Sequence, residues 1–372
     1  MHFRIKILII IVFLCSACKF KNREDILSLF SIKQSSEEKL FVAYQNFIEA
    51  SSSSDFPLAT FRDNSDLARN QQFRQKFCSE SDLNYFNATL WQAYSLKGTS
   101  EWKKYAQNFG ELLKQSEPTD TLNPEVRQNA LLTAYLISKE EEYASLIVKD
   151  LPEYVSFLNK RIEKDSNIVF NSSFNVGSLL ENKVMFFASK TTGDPVYSKF
   201  AIENSNFIFD NYFKNNQSNE ILRRLIGYGG NLAGNDKQQR PSSKEYADLA
   251  VSLYSYTFLF TETGMDKYQK LSDTIASVFA ISFNQIEDNI SGDWKGCINS
   301  EMDLLSQALV CNALYDLGNQ PGKNYKETSL LFYNHILDSL NTSLNTNIKP
   351  SFKLFYYLFE YERRKQHLTA TT

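Results

Sequence analysis

Histidine is nearly absent from this 372-residue chain: there are three, and His2 lies in a leader segment, which leaves His335 and His367. Two histidines without spaced partners exclude a His-rich metal site and argue against a Ser-His-Asp triad. Glycine (13) and proline (8) are scarce as well, too few for a sandwich or barrel of short strands joined by frequent turns. Neither charge dominates: 40 Lys and Arg against 43 Asp and Glu give −3, so no basic field exists to hold nucleic acid. Of five cysteines, the only Cys-x-x-Cys is Cys15 to Cys18 in the leader, so no zinc motif is present. What the chain does have is 42% hydrophobic residues, including 29 Phe and 20 Tyr, enough for one large core.

Residues 1–17 read as a signal peptide: Arg4 and Lys6 are basic, Ile7 to Leu14 is apolar, and Ser16-Ala17 is a small-residue cleavage site. The apolar run is shorter than the roughly 20 residues that a stable membrane span requires. Leu14-Cys15-Ser16-Ala17-Cys18 resembles a bacterial lipobox, with Cys15 where the usual Leu stands and Cys18 as the lipidated residue. That implies an exported lipoprotein, periplasmic or on the surface of a bacterium; ordinary cleavage and soluble export is the alternative. Residues 18–35 then form the lipidated Cys and tether, 36–366 a single domain and 367–372 a tail. Cys78, Cys297 and Cys311 remain in the mature chain. Cys311, within Ala-Leu-Val-Cys, reads as a buried thiol, and a Cys78–Cys297 disulfide is left open by the sequence.

Beyond Ser36 apolar residues recur at helical spacing. Caps and breaks predict helices near 37–51, 82–96, 99–115, 124–138, 140–163, 175–191, 195–213, 243–263, 265–286, 300–318, 323–342 and 350–365. A weak repeat runs through them, a helix-ending Gly followed four residues later by an aromatic: Gly98 and Trp102, Gly193 and Tyr197, Gly264 and Tyr268. Lys139 and Tyr143 keep the aromatic without the Gly, and Gly318 and Tyr325 keep both around an insertion. Gly adopts the left-handed C-cap at no steric cost, and the aromatic is expected to staple the returning helix onto its partner. The repeats are too irregular for an open solenoid, so six hairpins predict an all-α (α/α)6 toroid.

Five stretches, in order, resemble the unsaturated glucuronyl hydrolases, glycoside hydrolase family 88. They are Asp82-Leu-Asn-Tyr-Phe-Asn-Ala-Thr-Leu-Trp91 with Trp102; Leu179-Leu180 through Ala188-Ser189 to Thr192-Gly193-Asp194-Pro195-Val196-Tyr197; Ala250-Val-Ser-Leu-Tyr254-Ser-Tyr-Thr; Asp303 to Leu317; and Pro350 to Arg364 with Tyr356-Tyr357-Leu-Phe-Glu360. The resemblance implies removal of an unsaturated uronic acid from oligosaccharides left by polysaccharide lyases, by carboxyl groups and without metal or cofactor. It also implies two key aspartates, and those positions fall on Asn123 and Gly177, neither of which can deliver a proton. Glu181, one helical turn past Gly177, is the fallback acid.

Other candidates are contacts to sugar. Arg223, Arg224 and Tyr228 lie in the segment 214–242, where the family has a loop over the sugar, and Trp294 resembles a cavity-mouth aromatic. Asp303 matches a family Asp and equally suits a helix cap. Trp91 and Trp102 read as core, and His335 and His367 as structural. Three readings follow: a catalytically impaired binder of uronic-acid oligosaccharides, an active hydrolase in which Glu181 gives the proton and Asn123 positions water, and a structural or partner-binding lipoprotein with a plugged ring.

Overall fold

A computed structural model describes residues 35–51, 80–115, 124–166, 176–214, 243–287, 303–342 and 350–369. Its helices are α1 (Ser36–Ser51), α2 (Glu80–Lys97), α3 (Ser100–Gln115), α4 (Pro124–Ser138), α5 (Glu141–Ser166) and α6 (Asn182–Thr192). They continue as α7 (Val196–Ile208), α8 (Ser243–Thr263), α9 (Asp266–Glu287), α10 (Leu304–Leu317), α11 (Lys326–Thr342) and α12 (Phe352–Thr369). A 3-10 turn, Val176–Glu181, leads into α6, and a π-helical turn, Phe209–Lys214, extends α7. All twelve predicted helices are present, and no strand occurs among the described residues.

The packing closes a ring. Each even-numbered helix packs on the next, α2 on α4, α4 on α6, α6 on α8, α8 on α10 and α10 on α12, and α12 returns to α2. The odd-numbered helices lie outside, and α1 packs on both α11 and α12, so the first helix is the outer partner of the last. This is an (α/α)6 toroid. The seam is aromatic: Phe41, Tyr44 and Phe47 of α1 meet Phe352, Phe355 and Phe359 of α12 with ring centroids 4.9–5.1 Å apart. Such pairs add directionality to the apolar burial that drives closure.

Local chemistry sets the helix ends. Ser35 and Glu38 form a reciprocal capping box at the start of α1: the Glu38 N–H donates to Ser35 Oγ (3.2 Å) and the Ser35 N–H to Glu38 Oε2 (3.1 Å). Gly98, Gly193 and Gly264 each end an inner helix with φ between 64° and 74°, and Lys139 takes the same left-handed conformation at 61°. The fifth turn departs from the expected pattern. Gly318 is right-handed at φ −68°, and the left-handed residue is Gly322 at 77°. Gly318 is required for a different reason: a Cβ there would lie 2.8 Å from both the backbone N and Cγ of Lys326.

Three of the aromatics after these turns reach back to the preceding outer helix, and Tyr268 also staples its own hairpin as expected, its ring centroid 5.5 Å from that of Tyr256 in α8. Trp102 of α3 packs on Phe41 and Tyr44 of α1, and the Tyr143 ring of α5 lies over α3, where only a glycine at 110 leaves room for its hydroxyl. Tyr268 of α9 donates to Asn206 Oδ1 of α7 (2.8 Å). The repeat therefore joins hairpin to hairpin. At the C-terminus α12 runs to Thr369, through residues 367–369 that the sequence reading assigned to the tail, because no Gly or Pro intervenes to stop it.

Candidate functional site

Inner helices end at short turns on one face of the ring; on the other face, the mouth, longer connections lead back from outer to inner helices. Between the faces lies a layer of polar and aromatic side chains. Lys183 of α6 and Glu360 of α12 stand on opposite helices of the ring, yet their Nζ and Oε1 are 2.6 Å apart. The tie therefore spans the interior. Tyr254 of α8 donates to Glu360 Oε2 (2.7 Å) and accepts from Lys183. Arg364 of α12 adds a second ion pair to Glu360 at 2.8 Å and also pairs with Asp316 of α10. Tyr356 hydrogen-bonds Thr133 of α4 at 3.3 Å and packs on Tyr85 of α2, so all six inner helices contribute.

Burial shapes the charges in this layer. The Lys183 ammonium is pushed down to about 8 by burial, aided by Arg364 and Arg363 and opposed by Glu360. Tyr254 and Tyr357 are held well above the ordinary tyrosine range, again by burial first. At neutral pH the layer holds a protonated lysine and an arginine, with neutral phenols as hydrogen-bond partners.

Toward the mouth a second group gathers. Glu181, 2% exposed, ends the 3-10 turn, and Tyr154 of α5 donates to its Oε2 at 3.0 Å. Lys353, in the first turn of α12, lies 5.7 Å from the Tyr85 ring centroid. Burial lowers its ammonium, while the charges of Asp303 and Glu181 oppose that shift. Glu181 likewise helps hold the Tyr85 phenol up, behind burial and Tyr356. Glu181, Lys353, Asp303 and Tyr85 thus share one electrostatic neighbourhood at the mouth ends of four inner segments. Asp248, near the start of α8, is half-buried, is raised by burial, and accepts from Tyr212 at 3.4 Å.

Several sequence candidates can be placed. Gly177 lies in the 3-10 turn and, as glycine, offers no functional group there. Asp303 caps α10, its Oδ1 accepting from the Ser306 N–H at 2.7 Å, while the residue stays exposed. Trp91 and Trp102 are core. Cys311 is a buried thiol, raised by that burial. His335 bonds Gln307 through Nδ1 at 3.0 Å, which fits a structural role. Asn123, Arg223, Arg224, Tyr228, Trp294, Cys18, Cys78 and Cys297 lie outside the described residues, as do residues 1–34. Among the described residues no three His, Cys, Asp or Glu side chains gather as a metal site, and no helix is long and apolar enough to cross a membrane.

Sequence reasoning missed Lys183 and Lys353, although a lysine between Asn182 and Val184-Met185, on a helix this buried, is a detectable anomaly. The five resembling stretches converge in the interior layer, supplying Tyr85, Lys183, Tyr254, Asp316 and Glu360 in turn.

No family model matches the chain. It is 20% identical, over 274 residues covering 69% of this chain and 67% of the relative, to an unsaturated glucuronyl hydrolase of Formosa agariphila. Among solved structures it superimposes on an unsaturated glucuronyl hydrolase specific for heparin with a TM-score of 0.55 at 14% identity, covering 90% of this chain and 98% of that one. A double mutant of the Streptococcus agalactiae unsaturated glucuronyl hydrolase gives 0.52 at 12% identity, covering 77% and 81%. A single mutant of that enzyme, complexed with dGlcA-GalNAc6S, gives 0.50 at 12% identity, covering 77% of this chain and 81% of that one. The chain has the (α/α)6 fold of these enzymes and resembles the unsaturated glucuronyl hydrolases along most of its folded length.

Proposed function

We propose that this protein is an exported lipoprotein, lipidated at Cys18, that binds uronic-acid-containing oligosaccharides at the mouth of its ring and is catalytically impaired. The observation that carries this reading is the mouth group itself. Lys353 supplies a partly desolvated cation for a uronate carboxylate, and the Tyr85 ring lies beside it. Gly177 has no side chain where the family resemblance implies an acid. Glu181 is near, but its Oε2 is already engaged by the donating Tyr154 hydroxyl at 3.0 Å.

One observation favours the second reading, an active hydrolase releasing the unsaturated uronic acid. Glu181 is buried on the 3-10 turn four residues past Gly177, so a carboxyl has been kept close to that place. Titration calorimetry with unsaturated uronyl disaccharides, run beside the ultraviolet absorbance of the uronyl double bond, separates the two. Binding without loss of absorbance is the expected result. Loss of absorbance abolished by Glu181→Gln in a folded protein selects the hydrolase, and neither binding nor turnover rejects both in favour of a structural or partner-binding role.

A further inference from the structure

The ring's two faces differ in what they offer a membrane. The described chain starts on the short-turn face: Ser36 Oγ donates to Glu362 Oε1 (2.8 Å) near the end of α12, and Glu37 pairs with Lys97 (2.7 Å) at the end of α2. From Cys18 to Ser35 there are 16 intervening residues, 19–34, a length that reaches at most roughly 55 Å. The tether therefore joins the body at the edge of the short-turn face, one helix-length away from the mouth. A tether alone is a pivot, and it leaves the orientation open.

A second contact is available across the ring. Among the described residues five large apolar side chains are exposed, and three of them, Leu136 (41%), Val196 (53%) and Met265 (38%), sit at the turns of three consecutive hairpins, α4–α5, α6–α7 and α8–α9. These hairpins lie opposite the α12–α1 edge in ring order. Each turn also exposes a lysine: Lys139, Lys190 and Lys267. Acids accompany them, Glu141, Asp194 and Asp266 in the same turns and Glu262 paired with Lys190 at 2.6 Å. The rim is thus apolar tips beside exposed lysines, two of them held by Glu262 and Asn206, with no net basic field, which suits shallow insertion among lipid headgroups rather than attraction to anionic lipid.

We propose that the short-turn face rests on the lipid bilayer, held by the tether at one edge and by the Leu136, Val196 and Met265 rim at the other, with the mouth directed away from the membrane. The inference rests on the lipid-anchored reading of Cys18.

The test places a bioorthogonal fluorophore at position 139, on the rim, or at 303, at the mouth, of the full-length lipidated protein in phosphatidylcholine vesicles carrying headgroup-region nitroxides. Quenching at 139 several-fold above that at 303, and little altered by adding anionic lipid, is the expected result. Equal quenching, or stronger quenching at 303, overturns the proposal. Leu136→Ser, Val196→Ser and Met265→Ser together should remove the difference while the protein stays anchored; a difference that persists rejects the rim as the contact. A second preparation, with a synthetic lipid joined at the N-terminal amino-thiol of a chain beginning at Cys18, scores the face independently. If Cys18→Ser leaves cellular membrane association intact, the anchor reading fails, while that preparation still decides the orientation. Quenching at 139 that requires an added soluble protein would assign the rim to a protein partner and reject the lipid contact.

Discussion

The two ends of the inner helices are built by different rules. At the short-turn end α2, α4, α6 and α8 each give way to an outer helix within two or three residues, through a left-handed residue at 98, 139, 193 or 264. The chain there is fixed by backbone sterics that a single sequence displays. At the mouth end the connections 52–79, 116–123, 167–175, 215–242, 288–302 and 343–349 are longer, seven residues or more each. Between the ends lies the polar layer joining all six helices. Fold identity thus resides in the turns and the layer.

The comparison is sharpest where the layer is broken. Glu360→Ala leaves the Lys183 and Arg364 charges without the carboxylate they share, in a place only 6% exposed at the Glu360 side chain. A loss of about 3–5 kcal/mol of unfolding free energy is expected, read by urea denaturation. A loss below about 1 kcal/mol would mean that the ring does not depend on the layer.

Lys183 gives the layer a pH signature with a definite sign. Its folded value of about 8 lies below the ordinary 10.5, so between those values the unfolded chain binds more protons than the folded one. Stability is therefore penalised fully below pH 8 and recovers as pH rises above it. Near pH 10 the buried tyrosines, raised above their ordinary value, begin to oppose the gain because only the unfolded chain ionises them. Lys183→Met keeps the Glu360–Arg364 pair and should flatten the rise between pH 8 and 10 relative to the parent chain. An unchanged slope would remove Lys183 from the assignment.

At the mouth the expected effects are smaller in stability and larger in function. Asp303→Ala removes the α10 cap and should cost about 1 kcal/mol. If Asp303 also meets the ligand, affinity falls by more than Asp303→Asn, which retains the capping oxygen. Equal affinity in both variants would leave it a cap alone.

How much of this was legible follows the same division. The helix positions could be read because glycine at 98, 193 and 264, Ser35 with Glu38, and the apolar spacing each act within a few residues. Ring closure could be anticipated only from the number of hairpins, since α1 and α12 are joined by aromatics at opposite ends of the sequence. The layer was not legible. Lys183 and Glu360 are 177 positions apart, and nothing local in either marks the other as its partner. Gly318 does end α10, but its right-handed conformation was not legible, because nothing local in sequence shows Lys326 pressing on it in space. The site suffered most, since its sequence clues were resemblances at single positions, and Glu181 gained a setting only when Tyr154, Lys353 and Tyr85 were brought beside it.

Lys139 offers the finest test of the contrast, because it is the one described non-glycine residue with a left-handed backbone. Its φ of 61° matches Gly98 and Gly264, and its N–H donates to the Tyr135 carbonyl at 2.8 Å as the Gly98 N–H does to Tyr94. The four turns are therefore one device, and the lysine bears a Cβ cost of about 1 kcal/mol that the glycines escape. Lys139→Gly should stabilise the protein, by somewhat less than that amount because the unfolded chain gains freedom and the Lys139–Tyr135 ring contact at 5.8 Å is lost. Gly98→Lys should do the reverse by a similar amount, although open space surrounds its Cβ position. Thermal unfolding of the pair checks both signs. If Lys139→Gly destabilises, the turn is held by its side chain rather than its backbone, and the equivalence of the hairpins ends at the second one.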